Sequence, residues 1–378
     1  MEILHINANY LVSELHQTMI DTLEKLGING DVFVPTVEGN LERVPFHLND
    51  NVKLVPCTKK IDRFFYYIKQ HKVFKKLESN FDIGKYDCIH AYTLFSDGTS
   101  AWKAWKKYNI PYVVAVRNTD INRFLKFKPY LKKRAEIIME NASAIFFLSG
   151  PYIEQMKGIV NEEAWDKIKD KTHLITNGIN QMWLDNRAVE RDIHGNLERF
   201  QKREVRLLYI GKIDDNRNTS LTLQACELLI DQGWNVEYTV VGRVKREDEF
   251  QLLKSKDFVK YSDAKPMQEL INIYRANDVF VMPSHTETFG LVYAEAMSQG
   301  LPVIYTRGQG FDGQFEDGKV GYAVSDTDPK ELASRILSCI ENYETISRFN
   351  VEQVDRYDWN RICKRYVTIY NGIRNGNC

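Results

Sequence analysis

Short apolar runs recur along the chain, and the segments between them carry apolar residues at helical spacing. The runs are rich in Val, Ile and aromatic residues, which is typical of buried β-strands. The pattern predicts strands at 3–6, 32–34, 52–55, 88–91, 112–116, 144–148, 205–210, 236–241, 279–283 and 302–305. It predicts helices at 13–26, 220–232, 267–276, 290–299 and 328–342.

Strands that alternate with helices and are apolar on both faces predict parallel sheets covered by helices. Both halves of the chain show this alternation, so the predicted fold class is α/β, with two doubly wound, Rossmann-like domains facing across a cleft. The polar segment 185–204 marks the region of the boundary, and we assign 1–180 to the first domain and 181–357 to the second. Ligands in such folds bind beyond the carboxyl ends of the strands, so we expect the site in the cleft.

The composition excludes several classes of protein. Lys and Arg together number 51, as do Asp and Glu, so the net charge gives no support to a nucleic-acid partner. No run approaches the roughly eighteen uncharged apolar residues of a membrane-spanning helix. The first ten residues lack the basic segment of a secretory signal, and the six cysteines form no CxxC pair. These features predict a cytoplasmic protein without a zinc or redox-active cysteine site.

Two segments of the first half combine basic and aromatic residues. Residues 59–76 include Lys, Arg, Phe and Tyr in close succession, and residues 123–134 contain no acidic residue. Such surfaces suit the anionic inner face of a membrane or a polyanionic acceptor. The alternative is an ordinary solvated helix face with extended lysine side chains.

Residues 285–304 read HTETFGLVYAEAMSQGLPVI, with Glu287 and Glu295 separated by seven uncharged residues. This stretch resembles the donor-site signature of retaining GT-B glycosyltransferases of family 4, the glycogen-synthase-like group. That signature is a glutamate, seven residues, a second glutamate and then A-M-x-x-G-x-P-V-I. Four further stretches are similar to segments of that family: YIGKIDDNRN at 209–218, ITNGIN at 175–180, YRANDVFVMPS at 274–284 and DWNRICKRYVTIY at 358–370.

The resemblance implies a GT-B fold whose last helix, 358–378, packs back on the first domain. It places Glu287 on the hydroxyls of the donor sugar and Glu295 on the ribose of a nucleoside diphosphate, most often UDP. It also implies a donor site that includes Gly211, Thr288, Phe289, Gly290 and Leu291.

Elementary chemistry agrees with these assignments. A helix that begins after Gly290 offers backbone N–H groups to phosphate, and carboxylates accept hydrogen bonds from hydroxyl pairs. Lys212 and Arg217 follow a strand and could neutralise the diphosphate as its charge develops. They would do so without a metal ion, and no cofactor is expected. The alternative for these two cations is a solvated loop beside Asp214 and Asp215.

In the first domain, Arg117 stands where many members of the family carry a histidine near the reacting carbon. Asp120 is a candidate for acceptor binding, with a helix N-cap as the alternative. His90 ends a strand and is a candidate cleft residue, although a lone His in an apolar strand is more often a core residue. Asn9 lies in a loop where relatives often have paired glycines, which leaves the acceptor class open.

The predicted function is transfer of a sugar, with retention, from a nucleotide sugar to a saccharide or lipid-linked acceptor in the synthesis of surface polysaccharide or glycoconjugates. One alternative is a nucleotide-sugar epimerase on the same fold. Another is a sugar-nucleotide-binding subunit without catalysis, suggested by Arg117 and the missing glycines. Gly308, Gly310 and Gly313 match a dinucleotide-binding pattern, but the following residues favour a turn and a strand, so we expect this loop to border the donor sugar.

Overall fold

The computed structural model describes residues 1–39, 46–189 and 193–376. It divides into two units. Unit 1 contains Met1–Leu148, Tyr152–Thr176 and Trp359–Cys378, and unit 2 contains Ser149–Pro151 and Asn177–Asp358. The division after Thr176 lies before the polar segment 185–204, whose described residues belong to unit 2.

Thirteen strands are present in the described residues, and most coincide with the apolar runs of the sequence. Those of unit 1 are β1 (Glu2–Ile6), β2 (Asn29–Val37), β3 (Val52–Thr58), β4 (Cys88–Ala91), β5 (Tyr112–Val116), β6 (Ala144–Phe147) and β7 (Thr172–Leu174). Those of unit 2 are β8 (Glu204–Ile210), β9 (Asn235–Val241), β10 (Val259–Ser262), β11 (Val279–Met282), β12 (Val303–Thr306) and β13 (Gly321–Val324).

The strands are connected mainly by α-helices. In chain order these are α1 (Leu15–Lys25), α2 (Tyr66–Asn80), α3 (Gly98–Tyr108), α4 (Lys132–Asn141), α5 (Gly150–Ile159), α6 (Glu162–Ile168), α7 (Gln181–Asp185), α8 (Ile193–Gln201), α9 (Thr219–Asp231), α10 (Glu247–Lys254), α11 (Met267–Ala276), α12 (Leu291–Ser298), α13 (Pro329–Glu341), α14 (Tyr343–Gln353) and α15 (Trp359–Arg374). Within the described ranges, none of these helices has the length and apolar character needed to cross a membrane.

Each unit has one parallel sheet. The six strands of unit 2 follow the same order as the first six strands of unit 1, which has β7 as an additional edge strand. The order in unit 1 is β3-β2-β1-β4-β5-β6-β7, and in unit 2 it is β10-β9-β8-β11-β12-β13. In each sheet the chain adds strands to one side of the first strand and then crosses to its other side. This change of side falls between β1 and β4 in unit 1 and between β8 and β11 in unit 2. The loops after such a strand pair diverge and leave a crevice at the carboxyl edge, which is where doubly wound folds bind ligands. The α/β prediction with two doubly wound sheets is confirmed.

The last helix packs within unit 1. One stripe of α15 is buried, with residues at helical spacing: Trp359, Ile362, Cys363, Tyr366, Tyr370 and Ile373. The stripe joins a core cluster that includes residues of α1 and of β1, β2 and β4. The chain thus returns to its first sheet after completing the second one.

Candidate functional site

The candidate donor site lies at the carboxyl edge of the unit 2 sheet, where the loops after β8 and β11 meet. Asn216 connects these loops directly. Its side-chain NH₂ donates to the Thr286 carbonyl at 2.9 Å, and its Oδ1 accepts from the Thr286 backbone N–H at 3.0 Å. Its carbonyl accepts from the His285 N–H at 2.9 Å. The position of Glu287, the next residue along the chain, is therefore set by both loops.

Arg217 and Glu287 form an ion pair between the two loops. The Arg217 guanidinium also donates to the Ser284 hydroxyl at 3.3 Å. Interaction with Glu287 raises the pKa of Arg217 against the opposing effect of burial. The Glu287 side chain is 12% exposed. It is therefore held in place but can still be reached by a ligand.

The second oxygen of Glu287 accepts hydrogen bonds from the turn that follows. The Thr288 N–H donates to Oε1 at 2.8 Å and the Phe289 N–H at 3.4 Å. The Phe289 ring is buried and packs edge-on against Tyr357. Two of the predicted donor-site residues thus orient the carboxylate through their backbone.

Gly290 makes the sharp entry into α12. It has φ of +74°, in the left-handed region, and a Cβ at this position would collide with the Tyr293 ring. No side chain caps the start of α12, which begins at Leu291. Free N–H groups and the positive end of the helix dipole make such a start suitable for phosphate oxygens.

Glu295 lies one turn from the end of α12 and is partly buried. Burial raises the pKa of its carboxyl to about 7, although the Tyr274 hydroxyl, which donates to Oε2 at 3.3 Å, lowers it in part. Near neutral pH the group therefore interconverts between an acid and a carboxylate. Glu287, in contrast, forms an ion pair with Arg217.

Gly211 and Lys212 line a cavity of about 310 Å³ beside this edge. Lys212 is exposed, and its carbonyl accepts from the Tyr209 hydroxyl at 2.5 Å. Arg243 and Lys265, from the loops after β9 and β10, line the same cavity. Sequence analysis missed both of them, because strand order, and not sequence spacing, brings them beside Lys212.

The glycine-rich loop at 307–313 lies against Glu287. The Gly310 N–H donates to the Glu287 carbonyl at 2.9 Å, and the Glu287 N–H donates to Gln309 Oε1 at 3.1 Å. The loop continues through turns into β13, and no helix follows it. This agrees with the predicted turn and strand and not with a dinucleotide-binding site. Within the described ranges, no group of three or more His, Cys, Asp or Glu side chains is arranged to hold a metal ion.

Asp120 connects two loops of unit 1. Its carboxylate accepts from the backbone N–H groups of Leu94 at 3.0 Å, Phe95 at 3.2 Å and Arg117 at 2.9 Å. The side chain is 1% exposed, and burial raises its pKa to about 6. Asp120 thus holds the loops after β4 and β5 together and does not present its oxygens at the surface.

His90 is a core residue of unit 1, so its prediction as a cleft residue was wrong. Its ring stacks on Tyr92 with centroids 4.2 Å apart, and its Nδ1 lies 2.7 Å from the Tyr370 hydroxyl of α15. The side chain is 1% exposed, and burial lowers its pKa well below the usual range. The histidine therefore stays neutral and packs the last helix onto the sheet.

Arg117 and Asn9 lie near the carboxyl edge of the unit 1 sheet. The Arg117 Nε–H donates to the Tyr92 carbonyl at 3.1 Å, and burial lowers the pKa of this guanidinium. His16, which sequence analysis missed, packs edge-on against Tyr92, and burial with the nearby Arg117 charge lowers its pKa to about 3. Asn9 is exposed in the loop after β1.

Comparison with known families covers most of the chain. Residues 190–353 match the family described as Glycosyl transferases group 1, and residues 16–181 match Glycosyltransferase Family 4. A D-inositol 3-phosphate glycosyltransferase from Corynebacterium urealyticum is 24% identical over 93% of this chain and 88% of its own length. A probable sucrose-phosphate synthase from Thermosipho melanesiensis is 25% identical over 73% of this chain and 68% of its own length.

Solved structures show the same fold at low sequence identity. Sucrose-phosphate synthase from Thermosynechococcus elongatus aligns with a TM-score of 0.76 at 18% identity, over 100% of both chains. HepE from Anabaena, solved with UDP and glucose, aligns with a TM-score of 0.67 at 17% identity, over 97% of this chain and 98% of its own.

Proposed function

Because the chain belongs to the family 4 glycosyltransferases with the GT-B fold, we propose that it transfers a hexose, with retention of configuration, from UDP-hexose to a saccharide or lipid-linked acceptor. The proposed setting is the synthesis of surface polysaccharide or glycoconjugates. The observation that carries the proposal is the position of Glu287. Its carboxylate is fixed by Arg217 and by two backbone N–H groups, beside the uncapped start of α12.

The proposed donor position uses each group for one part of the nucleotide sugar. Glu287 accepts hydrogen bonds from hydroxyls of the sugar, and Glu295 accepts them from the ribose. Arg217, Lys212 and the start of α12 neutralise the diphosphate as the glycosidic bond breaks, since charge develops on the departing oxygen. These positive groups perform the task that a metal ion has in other transferases, so we propose that catalysis is independent of metal.

UDP is the proposed nucleotide because the structurally similar HepE was solved with UDP and with UDP-glucose. The cavity bordered by Lys212, Arg243 and Lys265, of about 310 Å³, lies beside the proposed phosphate position. In this proposal the cavity holds the nucleoside, and its cations contact the outer phosphate oxygens.

We also propose that unit 1 binds the anionic inner face of a membrane, with the protein otherwise in the cytoplasm. The two basic and aromatic segments expose seven large apolar side chains: Ile61, Phe64, Phe65, Tyr67, Ile68, Phe127 and Tyr130. Two other aromatic residues of the first segment, Tyr66 and Phe74, are buried in the core. Exposed aromatic side chains among lysines and arginines match the chemistry of a lipid headgroup region.

The test of the transfer reaction is release of UDP from UDP-hexoses with and without a panel of saccharide and lipid-linked acceptors. The proposal predicts UDP release that requires an acceptor, and a product whose anomeric proton coupling in NMR matches that of the donor. Conversion of the donor to an epimer without acceptor would identify an epimerase. UDP binding without release across the panel would identify a non-catalytic subunit.

A further inference from the structure

Unit 1 contains a second cavity, of about 270 Å³, at the carboxyl edge of its sheet. Its lining takes residues from the loops after β1, β4 and β5: Asn9, Thr93, Ser96 and Thr119. Because the strand order reverses between β1 and β4, this cavity occupies the crevice where an open parallel sheet binds its ligand.

The charge of this cavity is one-sided. Of the described residues that line it, none is acidic, and four are cationic: Arg63, Lys69, Arg123 and Lys128. The neighbouring carboxylates already accept hydrogen bonds from the protein. Asp62 accepts from Lys72 at 2.7 Å, Asp97 from the Ala8 N–H at 3.0 Å and the Thr93 hydroxyl at 2.9 Å, and Asp120 from backbone N–H groups. The cavity therefore favours an anionic ligand.

Two further observations describe the ligand. Lys69 is half-buried, and burial lowers its pKa. Asp97 opposes this effect, Lys128 adds to it and Asp62 opposes it. Lys69 and Lys128 repel one another, so an anion bound between them would be stabilised by both. Gln70 is 2% exposed, and its Oε1 has no hydrogen-bond partner among the described residues. An unsatisfied acceptor next to cations suits a ligand with both a hydroxyl group and a negative charge.

We infer that this cavity binds a sugar phosphate group of the acceptor, with the four cations on the phosphate and Gln70 on a sugar hydroxyl. The inference rests on the proposed glycosyl transfer, because it names the acceptor class of that reaction. A phosphate carries a charge of about −1.5 to −2 near pH 7 and offers three acceptor oxygens, which can engage several cations. A carboxylate carries one charge and two oxygens, which a single arginine satisfies.

Calorimetric titration of the full chain with glucose 6-phosphate, glucuronate and glucose tests this inference. We expect binding of glucose 6-phosphate, and about tenfold or greater weakening in the variant Lys69→Gln with Lys128→Gln, because each lost cation removes a charge-assisted hydrogen bond. Arg123→Gln, at an exposed position, should weaken binding in the same direction. The matched control, Lys75→Gln with Lys132→Gln, removes two exposed lysines that do not line the cavity and should bind as the parent does.

Three results would overturn the inference: no binding of glucose 6-phosphate or inorganic phosphate, equal binding in the cavity variants, or binding of glucuronate as tight as that of the phosphate. UDP titration of the same variants keeps the two proposals distinguishable. Intact UDP binding with no phosphate binding refutes only the acceptor class, whereas absent UDP binding refutes the proposed function.

The source of the phosphate is decided by a second arm, with vesicles containing phosphatidate. The vesicles are offered to the cavity variant, Lys69→Gln with Lys128→Gln, and to the matched control, Lys75→Gln with Lys132→Gln. Weaker vesicle binding in the cavity variant than in the control supports the inferred site with a lipid-linked phosphate. Equal vesicle binding in both, with glucose 6-phosphate binding weakened only in the cavity variant, supports it with a water-soluble phosphate.

Discussion

At the scale of single residues, Glu287 is the group on which the proposed donor chemistry depends most. Glu287→Gln keeps the shape of the side chain but removes the charge that pairs with Arg217. We expect a loss of transfer rate of about 10²-fold, the usual cost of removing one preorganised electrostatic contact. UDP affinity should change by less than about threefold, because Glu287 is assigned to the sugar and not to the nucleotide. Steady-state kinetics with UDP-hexose and calorimetry with UDP measure the two quantities.

Glu316→Gln is the matched control, since Glu316 is an exposed acid on the neighbouring loop. Its rate should equal that of the parent. If Glu287→Gln transferred sugar at the parent rate, the assignment of Glu287 to the donor site would be wrong.

Glu295 gives a pH dependence whose sign follows from its pKa of about 7. If only the carboxylate accepts from the ribose, the apparent affinity is reduced by the protonated fraction. The UDP affinity of the parent should therefore be about tenfold lower at pH 6 than at pH 8. This factor is counted in addition to any change in UDP affinity that Glu295→Gln shows between the same two pH values. Calorimetry at both pH values measures the difference between the two proteins, which also cancels the titration of UDP itself.

The same pKa shift affects stability in the opposite direction: UDP affinity should rise with pH, whereas the free energy of unfolding should fall. The carboxyl holds its proton more tightly in the folded chain than in the unfolded chain, so its contribution is present below pH ~4.5 and is lost as the pH rises to about 7. The free energy of unfolding of the parent should therefore fall over this range relative to Glu295→Gln in urea titrations. Equal pH profiles for both proteins would contradict the assignment of a buried, titrating Glu295.

At the scale of elements, the entry into α12 depends on Gly290. Gly290→Ala places a methyl group against the Tyr293 ring at a φ that favours glycine. We expect destabilisation of about 1–3 kcal/mol, together with weaker UDP binding, because the start of the helix must shift. Thermal unfolding and calorimetry measure both effects.

Gly158→Ala in α5 is the control for this change. Apart from the adjacent residues and the backbone of the helix itself, nothing lies within 4 Å of the added Cβ. The variant should therefore be as stable as the parent or slightly more stable. A Gly290→Ala protein with unchanged stability and UDP affinity would show that the turn tolerates a side chain.

The sequence predicted elements well where burial is complete and poorly at the sheet edges. The bounds predicted for 88–91, 112–116 and 267–276 match β4, β5 and α11. The strands β7 and β10 were missed, because each lies at or near an edge, is short and is only partly buried, so it carries no continuous apolar run. Glu14 occupies the N-cap of α1, and no side chain caps that helix.

The candidate site could be predicted only where its residues lie together in sequence. Glu287, Gly290 and Glu295 belong to one short stretch with a recognisable spacing. Asn216 gave no signal, because its contacts with the loop after β11 exist only when β8 and β11 are neighbours. His90 was misassigned because a strand end and a strand interior look alike in an apolar run.

At the scale of the whole molecule, the exposed aromatic side chains of unit 1 predict binding to anionic vesicles. Phe64 is 61% exposed and Phe127 is 71% exposed, each beside a cation. Phe64→Ser with Phe127→Ser should reduce the fraction of protein that sediments with such vesicles several-fold, because insertion of apolar surface and attraction of charge act together. Added salt should weaken binding of the parent as well.

The control is Ile230→Ser with Leu252→Ser, which removes exposed apolar side chains of unit 2. This variant should sediment as the parent does. If vesicle binding fell equally in both variants, or did not fall in Phe64→Ser with Phe127→Ser, the two segments of unit 1 would be an ordinary solvated surface.

Nucleotide-dependent thermal stabilisation tests most directly the proposal that unit 2 binds a uridine diphosphate sugar without a metal ion. A ligand that binds only the folded chain raises its unfolding temperature by mass action. We predict a clear rise with UDP, a smaller one or none with GDP, ADP or CMP, and no change when EDTA is added. No stabilisation by UDP, or stabilisation that EDTA abolishes, would contradict the proposed metal-independent donor site.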